Sequence, residues 1–138
     1  KIFKVVLFDE SWALNSTQMG TKLFNFLARM GRSLNAGCIF IGHSVKDLKG
    51  DGIKAAITYK FCFKAVVNEE VEGVLDFLDL EITDENMEAV KGLGNGECLF
   101  QDLDGRVGKL KFEAVYGHLI KAFDTTPRGQ EETSEAAS

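Results

Sequence analysis

Two adjacent carboxylates, Asp9 and Glu10, come directly after the apolar residues 5–8. A short apolar run of this kind is typical of a buried parallel strand, and ligands bind at the carboxyl ends of such strands. There the first acid can hold Mg²⁺, usually through water, and the second can polarise an attacking water, as nucleotide hydrolysis requires. Asp9 is therefore a candidate metal and cofactor ligand, and Glu10 a candidate catalytic residue. An ordinary polar turn after a strand is the alternative.

Polar residues also follow the next strand-like run, residues 38–41, in the order Gly42, His43 and Ser44. In a P-loop ATPase, the strand beside the acid pair carries a polar side chain next to the γ-phosphate, where it senses hydrolysis. His43 is therefore a second candidate catalytic residue, and Ser44 a candidate cofactor ligand. A strand-end turn with an exposed histidine is the alternative.

Arg32 lies between these two runs, near the end of a predicted helix in which Leu23, Leu27 and Met30 repeat at helical spacing. An arginine at this point could reach the nucleotide of a neighbouring subunit and offset charge in the transition state, which makes it a third candidate catalytic residue. Alternatively, it is a cation that complements the dipole at the end of the helix. The residues alone leave both interpretations open.

Apolar periodicity predicts strands and helices in alternation around these candidates. Strands are expected at residues 5–8, 38–41 and 59–65, and a closing hairpin at residues 97–100 and 107–115, joined by residues 102–105. Helices are expected after a cap at Ser16 or Thr17, near residues 53–56, over residues 69–80, and after a cap at Thr83. Strands separated by helices predict an α/β fold with a mostly parallel sheet, and the hairpin adds an antiparallel edge.

Composition limits the class of protein. The 138 residues are 45% hydrophobic and 27% charged, which suits one globular domain. No apolar run approaches the roughly 18 residues of a membrane helix. The net charge of −5 lacks the overall positive charge that is typical of a nucleic-acid-binding chain. The three cysteines, Cys38, Cys62 and Cys98, lie in apolar runs without paired spacing, so buried thiols in a reducing compartment are expected.

The last fifteen residues, 124–138, differ from the rest of the chain. They contain the single proline, Pro127, and no apolar residue larger than alanine. Arg128 stands against four acids, so this segment carries −3 of the net charge of −5. Residues 124–138 are therefore predicted to form a disordered acidic tail.

Four segments, taken in order, resemble the motor ATPases of type IV secretion and conjugative DNA transfer. They are residues 5–12, 29–37, 39–44 and 92–108, the last being similar to the C-terminal part of these proteins in Gram-positive bacteria. The resemblance covers residues 3 to about 122. It implies a RecA-like P-loop fold in which Asp9 and Glu10 match the Walker B pair. Arg32 matches the trans-acting arginine, and His43 occupies the sensor position, where the family usually has glutamine.

The resemblance also implies a setting for the longer protein. Members form hexamers at the cytoplasmic face of the bacterial membrane, use ATP and Mg²⁺, and energise pilus assembly or the transfer of DNA and protein. Self-association and contact with membrane-bound channel components are therefore expected. Direct DNA contact is not supported by this chain, because the lysines at positions 46, 49 and 54 are interrupted by Asp47 and Asp51.

A phosphate-cradling loop of the type G-x-x-x-x-G-K-[ST] is absent from residues 1–138. The single Gly-Lys pair, Gly108-Lys109, is followed by Leu110 and has Leu103 in place of the first glycine. Residues 1–123 are therefore interpreted as the C-terminal, Walker B half of a motor domain that is longer than this chain. We expect no bound cofactor and no ATP hydrolysis from the chain alone. A non-catalytic assembly or regulatory module, and a fragment of another DNA-pumping P-loop ATPase, are the alternatives.

Overall fold

The structure, a computed structural model, describes residues 2–10, 16–31, 33–48, 53–113 and 116–118. Its elements alternate between strands and helices, as the sequence predicts. In chain order they are β1 (Lys4–Phe8), α1 (Gln18–Met30), β2 (Ala36–Phe40), a 3-10 turn (Val45–Leu48), α2 (Ile53–Ala56), β3 (Lys60–Phe63), α3 (Asn68–Phe77), α4 (Asp84–Lys91), β4 (Glu97–Gln101) and β5 (Val107–Lys111). The predicted acidic tail, residues 124–138, lies outside the described residues.

Strands β1 and β2 form a two-stranded parallel sheet. Helix α1 connects them, and Thr17 caps its start by accepting a hydrogen bond from the Gly20 N–H at 3.0 Å. The crossover ends at Gly31, which follows the last residue of α1. The predicted βαβ unit is thus confirmed for this part of the chain.

The third predicted strand does not join the parallel sheet. Strand β3 pairs antiparallel with β4, and β4 pairs antiparallel with β5, in a separate three-stranded sheet. The prediction of a mostly parallel sheet is therefore wrong for the described residues. The physical reason is the connection, because two helices, α3 and α4, lie between β3 and β4. A single helix between two strands returns the chain in the direction of the first strand. A second helix adds one further reversal, so β4 runs opposite to β3.

The predicted hairpin is confirmed as β4 and β5, joined by a turn in which Gly105 has a φ of 79°. The register of β5 places Lys109 and Leu110 on opposite faces of the sheet. Lys109 lies opposite Leu99, on the sheet face that the helices cover, whereas Leu110 lies on the open face. Because β5 is an edge strand, Lys109 still reaches solvent, where its ammonium pairs with Glu97 at 2.7 Å.

The core lies between the antiparallel sheet and helices α3 and α4. Helix α3 turns one apolar face to this core, since Val71 and Leu75 are completely buried. Thr83 caps α4 as predicted, accepting a hydrogen bond from the Asn86 N–H at 3.2 Å. The residues of this core are Cys62, Val71, Val74, Leu75, Phe77, Leu78, Val90, Leu93 and Leu99.

Two buried polar side chains, Lys60 and Gln101, have a structural explanation. Lys60 donates from Nζ to the Phe77 carbonyl at 2.8 Å, and Gln101 donates from Nε2 to the Leu78 carbonyl at 2.7 Å. Both carbonyls belong to the end of α3, where no further helical turn supplies N–H donors. The neighbouring strands of the sheet therefore cap this helix, and Asp79 follows it with a φ of 57°.

The cysteines are free thiols. Cys62 and Cys98 are buried and Cys38 is half-buried, so the expectation of buried thiols is confirmed for the first two. Burial raises the pKa of the Cys62 thiol to about 12. This thiol is therefore protonated at neutral pH and inert as a nucleophile.

Candidate functional site

The acid pair and the polar loop after β2 lie at the same edge of the parallel sheet. Phe8 pairs with Phe40 at the ends of β1 and β2, and the Ile41 N–H donates to the Phe8 carbonyl at 2.9 Å. The two phenylalanine rings stack with their centroids 5.3 Å apart. Both strands therefore end level with each other, and the residues that follow them enter the same region.

Glu10 has an unusual backbone conformation for a residue with a side chain. Its φ is 52°, in the left-handed region, and its N–H donates to Oδ1 of Asp9 at 3.0 Å. A non-glycine residue in this region costs on the order of 1 kcal/mol, and such residues cluster at functional sites. The strained turn follows directly on β1, which ends at Phe8. Both carboxylates are exposed.

The chemistry of this pair fits Mg²⁺ that is bound mainly through water. Magnesium in nucleotide enzymes keeps several water ligands and takes one or two carboxylates together with substrate phosphates. Asp9 is exposed and keeps its second carboxylate oxygen for such a contact, since only Oδ1 accepts from Glu10. Within the part of the chain that the structure describes, no cluster of three or more acidic, cysteine or histidine side chains forms a closed metal cage.

The loop after β2 is held by a reciprocal pair of caps. The Ser44 hydroxyl accepts a hydrogen bond from the Lys46 N–H at 3.2 Å, and Oδ2 of Asp47 accepts one from the Ser44 N–H at 3.1 Å. This arrangement starts the 3-10 turn in the manner of a capping box. Ser44 therefore has a structural role in addition to the ligand role that the sequence predicts. A serine followed three residues later by aspartate is the sequence signal that could have indicated this cap.

His43 lies immediately before this capped turn and is exposed. The loop therefore presents an imidazole to solvent at the sheet edge that carries Asp9 and Glu10. Asp9 and Glu10 thus follow the end of β1, and His43 and Ser44 follow the paired end of β2, at the same edge of the sheet. Arg32, the fifth residue predicted from the sequence, lies outside the described residues.

A cavity of about 460 Å³ adjoins the β2 loop, and the sequence gives no sign of it. The cavity is lined by every residue from 39 to 45 and by every residue from 61 to 65, together with Val74 and Phe77 of α3. Successive strand residues point to opposite faces of a sheet, so a cavity on one face would contact only every second residue. This cavity contacts consecutive residues and therefore lies at the edges of β2 and β3. Asp9 and Glu10 do not line it, and its walls are mainly apolar. The cavity is therefore separate from the acid pair, although His43 and Ser44 of the β2 loop line it.

P-loop ATPases also carry an acid pair and a polar loop at one edge of a parallel sheet. Residues 1–123 match the family described as AAA-like domain, and the chain therefore belongs to this family of P-loop ATPases. Members of the family generally use ATP and Mg²⁺. The fold is a mixed α/β fold with one parallel and one antiparallel sheet, consistent with a piece of such a domain.

One curated relative is similar to nearly the whole chain. It is a protein of Bacillus subtilis (strain 168) named "Uncharacterized protein YddE", with 31% identity over 124 residues. The match covers 90% of this chain but only 15% of the relative. The chain therefore corresponds to a small part of that protein's length. Among the described residues, no helix is long and apolar enough to cross a membrane.

Proposed function

We propose that this chain is the Walker B half of an ATP-hydrolysing motor of a conjugative transfer or type IV secretion system. The observation that carries the proposal is the edge shared by Asp9, Glu10 and His43, at the ends of two parallel strands in a chain of the AAA-like family. The resemblance of residues 92–108 to conjugation ATPases favours this system over other DNA-pumping motors.

Each residue of the edge has a defined task in this proposal. Asp9 holds Mg²⁺ through water, and the ion, when bound, neutralises charge on the phosphates. Glu10 accepts a hydrogen bond from the attacking water and orients it towards the γ-phosphate. His43 donates a hydrogen bond to that phosphate and registers its loss. Arg32 acts on the nucleotide of a neighbouring subunit, in the hexamer that the resemblance implies.

The phosphate loop belongs, in this proposal, to polypeptide beyond residues 1–138. Support comes from the relative, of which the chain spans 15%, and from the cavity between β2 and β3. The edge of β2 away from β1 has no strand partner among the described residues, and neither has the edge of β3 away from β4. Unpaired strand edges bordering an apolar cavity provide a place for an added extended segment.

The wider setting follows the same resemblance. The complete motor works at the cytoplasmic face of the cell membrane and contacts membrane-bound channel components. It energises the translocation of DNA or protein. These partners belong to the complete motor and are proposals for it rather than for this chain in isolation.

The test compares acid variants in a polypeptide extended to include the phosphate loop. Glu10→Gln should lower ATP turnover by about a hundredfold or more while retaining ATP binding, because only the water-orienting carboxylate is lost. Asp9→Asn should weaken Mg²⁺-dependent nucleotide binding. Glu81→Gln, which changes an exposed acid outside the β1 and β2 edge, is the matched control and should leave both properties unchanged. Turnover that is unaffected by Glu10→Gln would exclude the proposed role.

A further inference from the structure

Helix α3 contains a glycine, Gly73, where a helix interior normally disfavours one. Glycine in this position is less favourable to the helix than alanine. The reason for it is a close approach, because a Cβ built on Gly73 would lie 2.9 Å from Cγ2 of Val45. Val45 is the first residue of the 3-10 turn, and its backbone follows His43 by two residues. The glycine therefore admits the turn against the helix.

The contact is continued on the surface by an ion pair. Lys46 of the turn donates from Nζ to the carboxylate of Glu69 on the first turn of α3. Both side chains are substantially exposed, so the pair adds little to stability. The pair nevertheless joins the 3-10 turn to the first turn of α3. The Ser44 and Asp47 caps make the turn itself stiff.

The two partners in this contact differ in how firmly they are held. Helix α3 is anchored by Val71, Val74 and Leu75, which are among the most buried side chains of the described residues. The 3-10 turn contains no buried residue. Val45 and Leu48 pack against the core but are only partly buried. A change in volume at the contact is therefore expected to displace the turn, and with it the loop that carries His43, more than the helix.

We propose that Gly73 is a positioning residue for His43. Through Val45 it sets how far the β2 loop stands from the sheet edge that carries Asp9 and Glu10. The proposal deepens the proposed function and rests on it for the role of His43. The positional coupling, by which residue 73 sets the place of His43, does not depend on bound nucleotide. A methyl group at position 73 moves the imidazole, and removal of the Val45 methyl groups makes room for that methyl group.

The test is a double-mutant cycle read from the histidine side chains. The chain has two histidines, His43 and His118, so imidazole ¹⁵N resonances give one signal at the loop and one internal reference. Gly73→Ala should shift the His43 resonances and leave those of His118 unchanged. The same substitution in a Val45→Ala background should have a much smaller effect on His43. Gly108→Ala is the matched control, because a Cβ there meets no atom within 4 Å.

Three results would overturn the positional coupling. They are unchanged His43 resonances in Gly73→Ala, equal shifts of both histidines, and an equal effect of Gly73→Ala with and without the Val45→Ala substitution. The alanine raises helix propensity, so Gly73→Ala retains the helix, which circular dichroism checks. Should it unfold the protein, Val45→Ala in the double variant should restore folding, because it removes the contact, and failure of that rescue would overturn the coupling.

A second experiment measures ATP turnover in the polypeptide that is extended to include the phosphate loop. Gly73→Ala should lower kcat on the order of tenfold or more with little change in KM, because misplacement of a group beside the γ-phosphate affects chemistry more than binding. Val45→Ala should restore kcat in the double variant. Turnover that Gly73→Ala leaves unchanged would overturn this proposal alone. Absence of ATP turnover in the unsubstituted polypeptide would instead overturn the proposed function.

Discussion

Gly31 and Ala36 approach each other so closely that a Cβ on Gly31 would lie 2.8 Å from the Ala36 carbonyl oxygen. The approach is made by the backbone, since the Ala36 N–H donates to the Gly31 carbonyl at 2.8 Å. The φ of Gly31 is −52°, an ordinary helical value, so glycine is needed here for space rather than for conformation. This contact joins the end of α1 to the start of β2 and sets where β2 enters the parallel sheet.

Gly31→Ala should therefore lower the free energy of unfolding by about 1–3 kcal/mol. The gain in helix propensity, about 1 kcal/mol at most, offsets only part of this because a carbonyl oxygen cannot rotate away as a flexible side chain can. Urea unfolding followed by circular dichroism measures the change. Gly108→Ala, at an open position, should stay within about 0.5 kcal/mol of the unsubstituted protein. Equal stability of Gly31→Ala and Gly108→Ala would show that the backbone of Ala36 does not approach Gly31 closely.

Asp79 makes the stability of the fold sensitive to acid. A hydrogen bond from Lys54, and then the charges of Lys54 and Lys60, hold the pKa of this carboxyl below its ordinary value of 3.8. A lowered folded-state pKa means that the unfolded chain takes up the proton first. The stabilisation is thus present above about pH 4 and is lost as the pH falls below that value.

The measurement is urea unfolding at about pH 6 and about pH 3, on either side of the ordinary aspartate pKa, for the unsubstituted protein and for Asp79→Asn. Asparagine tolerates the left-handed conformation of position 79, so the variant removes charge with little backbone cost. The unsubstituted protein should lose more stability on acidification than the variant does. Equal losses of stability in the two proteins would exclude a contribution from Asp79. The carboxylates of Glu97 and Asp102, whose pKa values are also lowered, remain in both proteins and so contribute equally to both losses.

The parallel sheet leaves apolar side chains on its surface. Val5, Leu7, Ile39 and Ile41 lie on one face and are each about half exposed. Each strand of this sheet has one strand partner among the described residues, so each has an unpaired edge as well. Exposed strand edges and contiguous apolar patches promote association.

The 138-residue chain should therefore self-associate in solution, as sedimentation velocity measures. Leu7→Lys combined with Ile39→Lys should shift the protein towards a monomer, because charges on the open face oppose its burial. Ile82→Lys is the control, since Ile82 is similarly exposed but lies outside this sheet. A monomer at every concentration would contradict the expectation.

The parts of the fold that follow from local sequence could be predicted. Strand β1 is a short apolar run that ends in two acids, and β2 is a similar run that ends in Gly42, so the shared edge follows from their parallel pairing. The caps at Thr17 and Thr83 were likewise local signals. In each case the residues that determine the structure lie within a few positions of the feature itself.

The parts that depend on distant partners could not be predicted. The direction of β3 is determined by two intervening helices and by its pairing with β4, in which Phe61 lies opposite Phe100. The close approach of Gly73 to Val45 is of the same kind, because glycine in a helix has no local signature of what packs on it. The cavity beside β2 arises between two sheets and is visible only once their placement is known.

Phosphate release by the purified 138-residue protein, measured with saturating Mg²⁺ and ATP, shows whether the acid edge hydrolyses ATP without a phosphate-cradling loop. The chain carries Asp9, Glu10 and His43 but no phosphate-cradling loop, so it should show no steady release above background. Glu10→Gln should give the same trace. Steady release that Glu10→Gln abolishes would contradict the assignment of this chain as the Walker B half of a motor, because the acid edge would then be a complete hydrolytic site without a phosphate loop.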